Sequence, residues 1–226
     1  MEQIAANIIS LRDRLPEYVS LIAVSKTRAA DEILQAYNAG HRLFGENRVQ
    51  ELASKRPLLP DDIHWHLIGH LQTNKVRQAV QLASMIQSVD SFRLLSLISD
   101  EACRINKIID CLIQVHIAGE ETKSGFYPDE VENEDWNKIT ASAPGVRIRG
   151  LMGIATFTEN EEQVRSEFRS LSSLFRKLKD RYFSNSGYFD TLSMGMSGDW
   201  KIAVEEGSTM IRVGTIIFGE RIYNRK

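Results

Sequence analysis

Lys26 ends the first strongly apolar run of the chain, Leu21-Ile22-Ala23-Val24, within the stretch Val24-Ser25-Lys26-Thr27-Arg28. An uncharged run of aliphatic and β-branched residues predicts a short buried strand. An ammonium placed where such a strand leaves the core is desolvated. Desolvation lowers its pKa and makes the amine a nucleophile toward aldehydes. The competing reading is a lysine that snorkels to solvent at a strand end. A lone lysine favours that second reading, and the remaining motifs favour the first.

Two later stretches carry complementary chemistry. Leu192-Ser193-Met194-Gly195-Met196-Ser197-Gly198-Asp199-Trp200 sets two glycines and two serines just before a helical pattern at 199–206. Bare N–H groups, hydroxyls and a helix start suit a phosphate dianion. An ordinary loop in which Ser197 caps the helix is the alternative. Ile211-Arg212-Val213-Gly214-Thr215 puts an arginine inside an apolar run, where burial without a partner is costly. Gly214 allows close backbone approach and Thr215 offers a hydroxyl. An anionic ligand would satisfy all three; a buried carboxylate would satisfy the arginine alone.

Positioning these groups requires elements that bring residues 26, 193–198 and 212–215 together. Apolar or β-branched runs occur at 21–26, 42–47, 64–69, 85–89, 111–118, 146–155, 191–195 and 210–219. Helical patterns lie between them. Ile33, Leu34 and Tyr37 with a terminal Gly40 form one, and Leu94, Leu95, Leu97 and Ile98 lie in another. The longest runs through Val164, Phe168, Leu171, Leu174, Phe175 and Leu178, with Glu161 and Glu162 at its start. An extra N-terminal helix carries Ile4, Ile8, Leu11 and Leu15, stops before Pro16, and is expected to pack against one end of the fold. Eight strands alternating with helices predict an α/β fold with a parallel sheet, closed as a single (β/α)8 TIM barrel. An open doubly wound sheet is the alternative. No linker interrupts the pattern, so one domain spanning 1–226 is expected.

In such barrels chemistry sits at the C-terminal ends of the strands, and phosphates commonly bind near strands seven and eight. Closure makes the first and eighth strands neighbours. An amine then faces a phosphate cup, which describes a ligand carrying both an aldehyde and a phosphate; pyridoxal 5′-phosphate fits. Asn47 ends the second run, Phe44-Gly45-Glu46-Asn47, where it could bond the ring's phenolic oxygen or shape the turn.

Composition narrows the classes. The chain has 226 residues, 42% hydrophobic and 26% charged, with a formal net charge of −2. That balance gives no push toward nucleic acid or anionic membrane. Cys103 and Cys111, with seven residues between them, have neither metal nor redox spacing and read as inert hydrophobes in apolar surroundings. The start, Met1-Glu2-Gln3-Ile4, is unlike a signal peptide, and no run reaches a membrane span. A cytoplasmic monomer is expected.

Taken in order, the motifs resemble the YggS/PROSC family of pyridoxal phosphate homeostasis proteins. The carrying stretches are Ala23-Val24-Ser25-Lys26-Thr27, Phe44-Gly45-Glu46-Asn47 and Trp65-His66-Leu67-Ile68-Gly69-His70-Leu71-Gln72. Gly119-Glu120-Glu121-Thr122-Lys123-Ser124-Gly125-Phe126, Arg149-Gly150-Leu151-Met152, 192–199 and the stretch from Arg212 to Gly219-Glu220-Arg221 complete the set. The resemblance implies an alanine-racemase-like barrel holding pyridoxal phosphate as a Schiff base on Lys26. It also implies phosphate contacts from Ser193, Ser197, Arg212, Gly214 and Thr215. Its implied role is to buffer or deliver the cofactor in vitamin B6 homeostasis, with pyridoxal-phosphate-dependent apo-enzymes as recipients and no catalytic residue. His116, where asparagine is common, and Gly153-Ile154-Ala155-Thr156, in place of a frequently proline-rich stretch, depart from the pattern.

The alternatives are a pyridoxal-phosphate-dependent racemase or lyase and an aldolase-like barrel in which Lys26 attacks a sugar phosphate. A racemase needs acid–base groups on both faces of the cofactor. Related two-domain racemases draw the second from an added domain that this chain is not expected to have, and Tyr223 lies in a polar tail. The pocket is therefore expected to be open on one side, which favours binding over turnover. Lys123 is the rival lysine, set in a loop with two glutamates. His64 and His66 share a strand face, but no carboxylate or cysteine stands in their motif, so no metal ligand is assigned. His66 is expected to orient a polar group or pack inside the barrel. Lys75 reads as a surface charge, and Trp136 and Trp200 read as helix packing. Arg212 could meet either the phosphate or the pyridine ring.

Overall fold

The computed structural model describes residues 2–119 and 124–220. The rival lysine Lys123, with Arg221 and Tyr223, lies outside the described residues. Eight parallel strands close into a barrel in sequence order. They are β1 (Ser20–Val24), β2 (Leu43–Glu46), β3 (His64–Leu67), β4 (Met85–Val89), β5 (Ile109–Val115), β6 (Val146–Gly153), β7 (Thr191–Ser193) and β8 (Met210–Val213). Around them run α1 (Glu2–Arg12), α2 (Ala30–Asn38), α3 (Val49–Lys55), α4 (Val76–Leu82), α5 (Phe92–Arg104), α6 (Pro128–Asn133), α7 (Trp136–Ser142), α8 (Glu161–Tyr182), α9 (Trp200–Glu205) and α10 (Thr215–Phe218). The sheet is closed; the open alternative is excluded.

Period-two alternation sorts each strand into an inner and an outer set. Ile22, Met85, Leu112, Met152 and Met210 pack together inside the barrel. Leu21, Ala23, Phe44, Ile113 and Ile211 face the helices in the main core. Ile22 is paired with Arg212 across β1 and β8, so both point inward. The helical pattern through 164–178 holds: α8 starts at Glu161, with the Asn160 side chain accepting the Gln163 N–H, and buries Phe168, Leu171 and Leu178. Trp136 is buried, its indole N–H donating to the Val131 carbonyl at 2.7 Å. Trp200 is buried at the start of α9.

Three expectations are corrected. The apolar residues after Gly214 do not extend β8; Thr215–Phe218 form one helical turn, α10, with the Ile217 and Phe218 N–H groups bonded to the Gly214 carbonyl. α1 lies against α2 and α10 beside the barrel instead of covering one end. Asn7 ties it there by donating to the Ile217 carbonyl at 3.0 Å. Cys103 is exposed, whereas Cys111 is buried with its thiol pKa pushed up by burial. No helix among the described residues is long and apolar enough to cross a membrane.

Candidate functional site

Lys26 lies two residues past the end of β1, at the C-terminal face of the barrel, and is half-buried. The next residue, Thr27, adopts a left-handed backbone at φ 66° and turns the chain away from the strand. Arg28 straps this turn to the far end of the chain, donating to the Gly219 and Glu220 carbonyls. The loops after β1 and β8 are thereby held side by side.

Beside β1, the ends of β7 and β8 carry the two glycines that matter most. Gly195 sits at φ 97°, and a Cβ there would stand 2.6 Å from the Ala203 Cβ. Only glycine lets the loop bend this tightly over α9. A Cβ on Gly214 would meet the Val24 carbonyl oxygen at 3.1 Å, so β8 runs close to the strand that delivers Lys26. Ser197 is half-buried in the β7 loop and Thr215 is exposed at the first position of α10. Asp199 occupies the position before α9, not Ser197, so helix capping does not account for the serine. The first N–H groups of any helix lack an intrahelical acceptor, which suits α10 and its neighbour Gly214 to an anion.

Ser193 and Arg212 are brought together, but one layer below this rim and inside the barrel. Both are buried. The Arg212 Nη1 donates to the Ser193 Oγ at 2.6 Å and the Nη2 to the Gly153 carbonyl at 2.9 Å. Among the described residues no carboxylate forms an ion pair with Arg212, which disposes of a buried carboxylate as its partner there. Burial pushes the guanidinium down to about 10, against a weaker raising influence from Asp199, so it remains a cation at neutral pH.

The bonds continue from Ser193 across the barrel. Its Oγ lies 2.7 Å from the Gln87 Oε1, and the Gln87 Nε2 lies 2.8 Å from the His66 Nδ1. Their direction follows from the arginine, which can only donate. Ser193 accepts from Arg212 and must pass its own proton to the Gln87 oxygen. The Gln87 amide then turns its NH2 toward His66, and His66 carries its proton on Nε2. Burial pushes His66 down to about 4, in keeping with a neutral ring. Sequence reasoning singled out His66 but missed Gln87. The available signal was an amide in the otherwise apolar run Met85-Ile86-Gln87-Ser88-Val89.

On the β2–β5 side of the mouth, Asn47, Ile68, His70, Gln114, His116 and Ile154 line a cavity of about 250 Å³. Asn47 is half-buried there, and Gly69 allows the adjoining strand ends to approach. His70 pairs with Asp90 at 3.0 Å on the exposed rim. Lys75 is half-buried beside Asn47, Arg48 and Gln72. The larger cavity, about 560 Å³, lies at the opposite, N-terminal end among Ser20, His64, Asp110, Arg149 and Thr191. Its charges are already matched. Arg149 bonds Asp110 at 3.0 Å and Asp190 at 2.9 Å, and Arg147 bonds Asp110 at 2.6 Å. That end reads as scaffold.

Behind Lys26, outside the barrel wall, Glu46 and Lys55 form a buried ion pair at 2.7 Å. Burial raises the Glu46 pKa, opposed by Lys55 and by the Ser25 hydroxyl. Lys55 escaped the sequence analysis; its (i, i+4) spacing from Glu51 is that of an ordinary helix-surface pair.

Residues 1–222 match the family described as alanine racemase, N-terminal domain. A protein of Aquifex aeolicus (strain VF5) named pyridoxal phosphate homeostasis protein is 42% identical over 204 residues, 90% of this chain and 87% of its own. The Escherichia coli (strain K12) protein of the same name is 36% identical over the full length of both chains. Among solved structures, PipY of Synechococcus elongatus PCC7942 without PLP superposes with a TM-score of 0.89 at 39% identity, covering 96% of this chain and 100% of that one. Its structure with PLP bound gives 0.85 at 38% identity over the same shares.

Proposed function

The chain belongs to the family of pyridoxal phosphate homeostasis proteins, and from that premise we propose that it binds pyridoxal 5′-phosphate reversibly, to buffer or deliver it. The observation that carries this reading is Lys26 at the C-terminal end of β1, strapped beside the glycine-bearing ends of β7 and β8. The residues present suit the group. Arg212 is a buried cation with neutral partners, the rim above it supplies hydroxyls and backbone N–H groups, and among the described residues no carboxylate is bonded to Arg212.

Lys26 would hold the aldehyde carbon. Ser197, Gly214 and Thr215 would hold the phosphate. Asn47 would meet the ring hydroxyl, while Ser193 and Arg212 would support the ligand from the layer beneath. Bound there, the cofactor supplies an aldehyde that an amine can hold and release, and a ring that withdraws electrons. Binding without amino-acid turnover agrees with the name its relatives carry. We assign no catalytic residue. We place the protein in the cytoplasm as a one-domain monomer, with pyridoxal-phosphate-dependent apo-enzymes as recipients.

The test is the visible absorption spectrum of the protein loaded with pyridoxal 5′-phosphate, compared with Lys26→Ala. The wild type should show the visible band expected for a lysine-held aldehyde, and the variant should lose most of it. An unchanged band in Lys26→Ala refutes the assignment. Incubation with single L-amino acids should yield no D-isomer or keto acid; turnover at ordinary enzymatic rates would replace the carrier with a racemase or lyase.

A further inference from the structure

Lys55 is a charged side chain only 7% exposed, an expensive placement for a surface helix. Its ammonium donates to the Ser25 carbonyl at 2.8 Å, to the Glu46 Oε1 at 2.7 Å and to the Glu51 Oε1 at 2.7 Å. All three of its protons are used. The Ser25 hydroxyl donates to the same Glu46 oxygen at 2.6 Å, and the Thr27 N–H donates to the same Glu51 oxygen. The cluster therefore grips the main chain at two points, the carbonyl before Lys26 and the N–H after it.

The backbone at this point needs a grip. Thr27, at φ 66°, is a β-branched residue in the left-handed region, where such residues are rare and costly. Stability alone is a poor reason for the cluster, because a buried ion pair contributes little net energy over apolar packing. The Glu46 Oε2 is also buried without a hydrogen-bond partner among the described residues, a further cost that a purely stabilising pair would not carry.

We propose that Lys55, with Glu46 and Glu51, is a positioning cluster that fixes the backbone on both sides of Lys26 and so sets the direction in which its amine meets the aldehyde. This rests on the reading that Lys26 holds the cofactor. Lys55 does not touch the ligand; it acts through the strand end. A rigid strand end holds the ligand longer than a mobile one, so the cluster tunes retention.

The experiment compares Lys55→Met, the double variant Glu46→Gln/Lys55→Met, and Lys26→Ala. Each is titrated with pyridoxal 5′-phosphate by visible absorption and melted by calorimetry without ligand. Lys55→Met should weaken retention by about tenfold and lower the Tm, since it leaves Glu46 buried and unpaired. The double variant removes that charge and should recover most of the Tm while retention stays weak. Recovery of wild-type retention together with the Tm would overturn the proposal and leave a merely structural cluster. Wild-type retention in Lys55→Met would overturn it as well. A visible band that survives Lys26→Ala would instead condemn the reading of Lys26, whatever the cluster variants do.

Discussion

Replacing Gln87 by leucine tests the directed chain from Arg212 to His66. Gln87 is fully buried, and its side chain makes two strong bonds, to Ser193 at 2.7 Å and His66 at 2.8 Å. Leucine keeps the bulk and removes both. The Ser193 proton loses its acceptor, because Arg212 offers only donors, and the His66 Nδ1 loses its donor. Each stranded buried group costs about 1–3 kcal/mol, so the two together cost about 2–6 kcal/mol, and a loss of about 3 kcal/mol lies in the lower half of that range. In a chain of this size that lowers Tm by about 6–12 °C. Gln87→Glu should cost less. Its carboxylate accepts from Ser193 and lies one residue from the Arg212 cation, and His66 can shift its proton to Nδ1 to donate to it. Nitrogen NMR of labelled histidine reads the tautomer directly: protonated Nε2 in the wild type, protonated Nδ1 in Gln87→Glu. A wild-type ring protonated on Nδ1, or a leucine variant as stable as the parent, would refute the chain as drawn.

Acid should destabilise the fold well above the usual carboxylate range. His41 and His66 are both pushed down to about 4 by burial, from an ordinary 6.5. Between those values the unfolded chain binds more protons, so the stabilisation is complete above about pH 6.5 and is lost as pH falls. Each ring contributes a slope of up to about 1.4 kcal/mol per pH unit, partly opposed by Glu46, whose raised pKa works the other way. The urea midpoint should therefore drop between about pH 7 and 5, and His41→Asn should remove roughly half of the slope; a flat midpoint contradicts the buried neutral rings. At the other end of the barrel, Arg149→Met removes one partner each from Asp110, which Arg147 still holds, and from Asp190, which is exposed and still accepts from the Thr191 hydroxyl. It should cost about 1 kcal/mol, or a Tm lower by about 2–4 °C, while affinity for pyridoxal 5′-phosphate stays within about twofold. A large loss of affinity would mean that the N-terminal end is more than scaffold.

The sequence was most legible where chemistry and local pattern coincide. A strand announces itself through a few consecutive apolar residues, so all eight were visible, as was the amphipathic stripe of α8. The lysine, glycines and serines at strand ends were visible because strand order fixes which ends adjoin once the sheet closes. What failed to show depended on register across the barrel. Ser193 and Gln87 are 106 residues apart and meet only because alternate residues of β4 and β7 share the interior. Arg212 was visible as an anomaly in an apolar run, yet its depth was not: pairing with Ile22 puts it one layer beneath the rim, where Ser193 and the Gly153 carbonyl already hold it. Lys55 is the instructive failure. A lysine four residues after a glutamate on a short helix has every mark of solvent exposure, and only the fold reveals that α3 presses it against the backbone beside Lys26. Residues that touch a ligand must carry recognisable chemistry, so a sequence can disclose them; residues that hold those in place need only fit, and fit is a property of the assembled barrel.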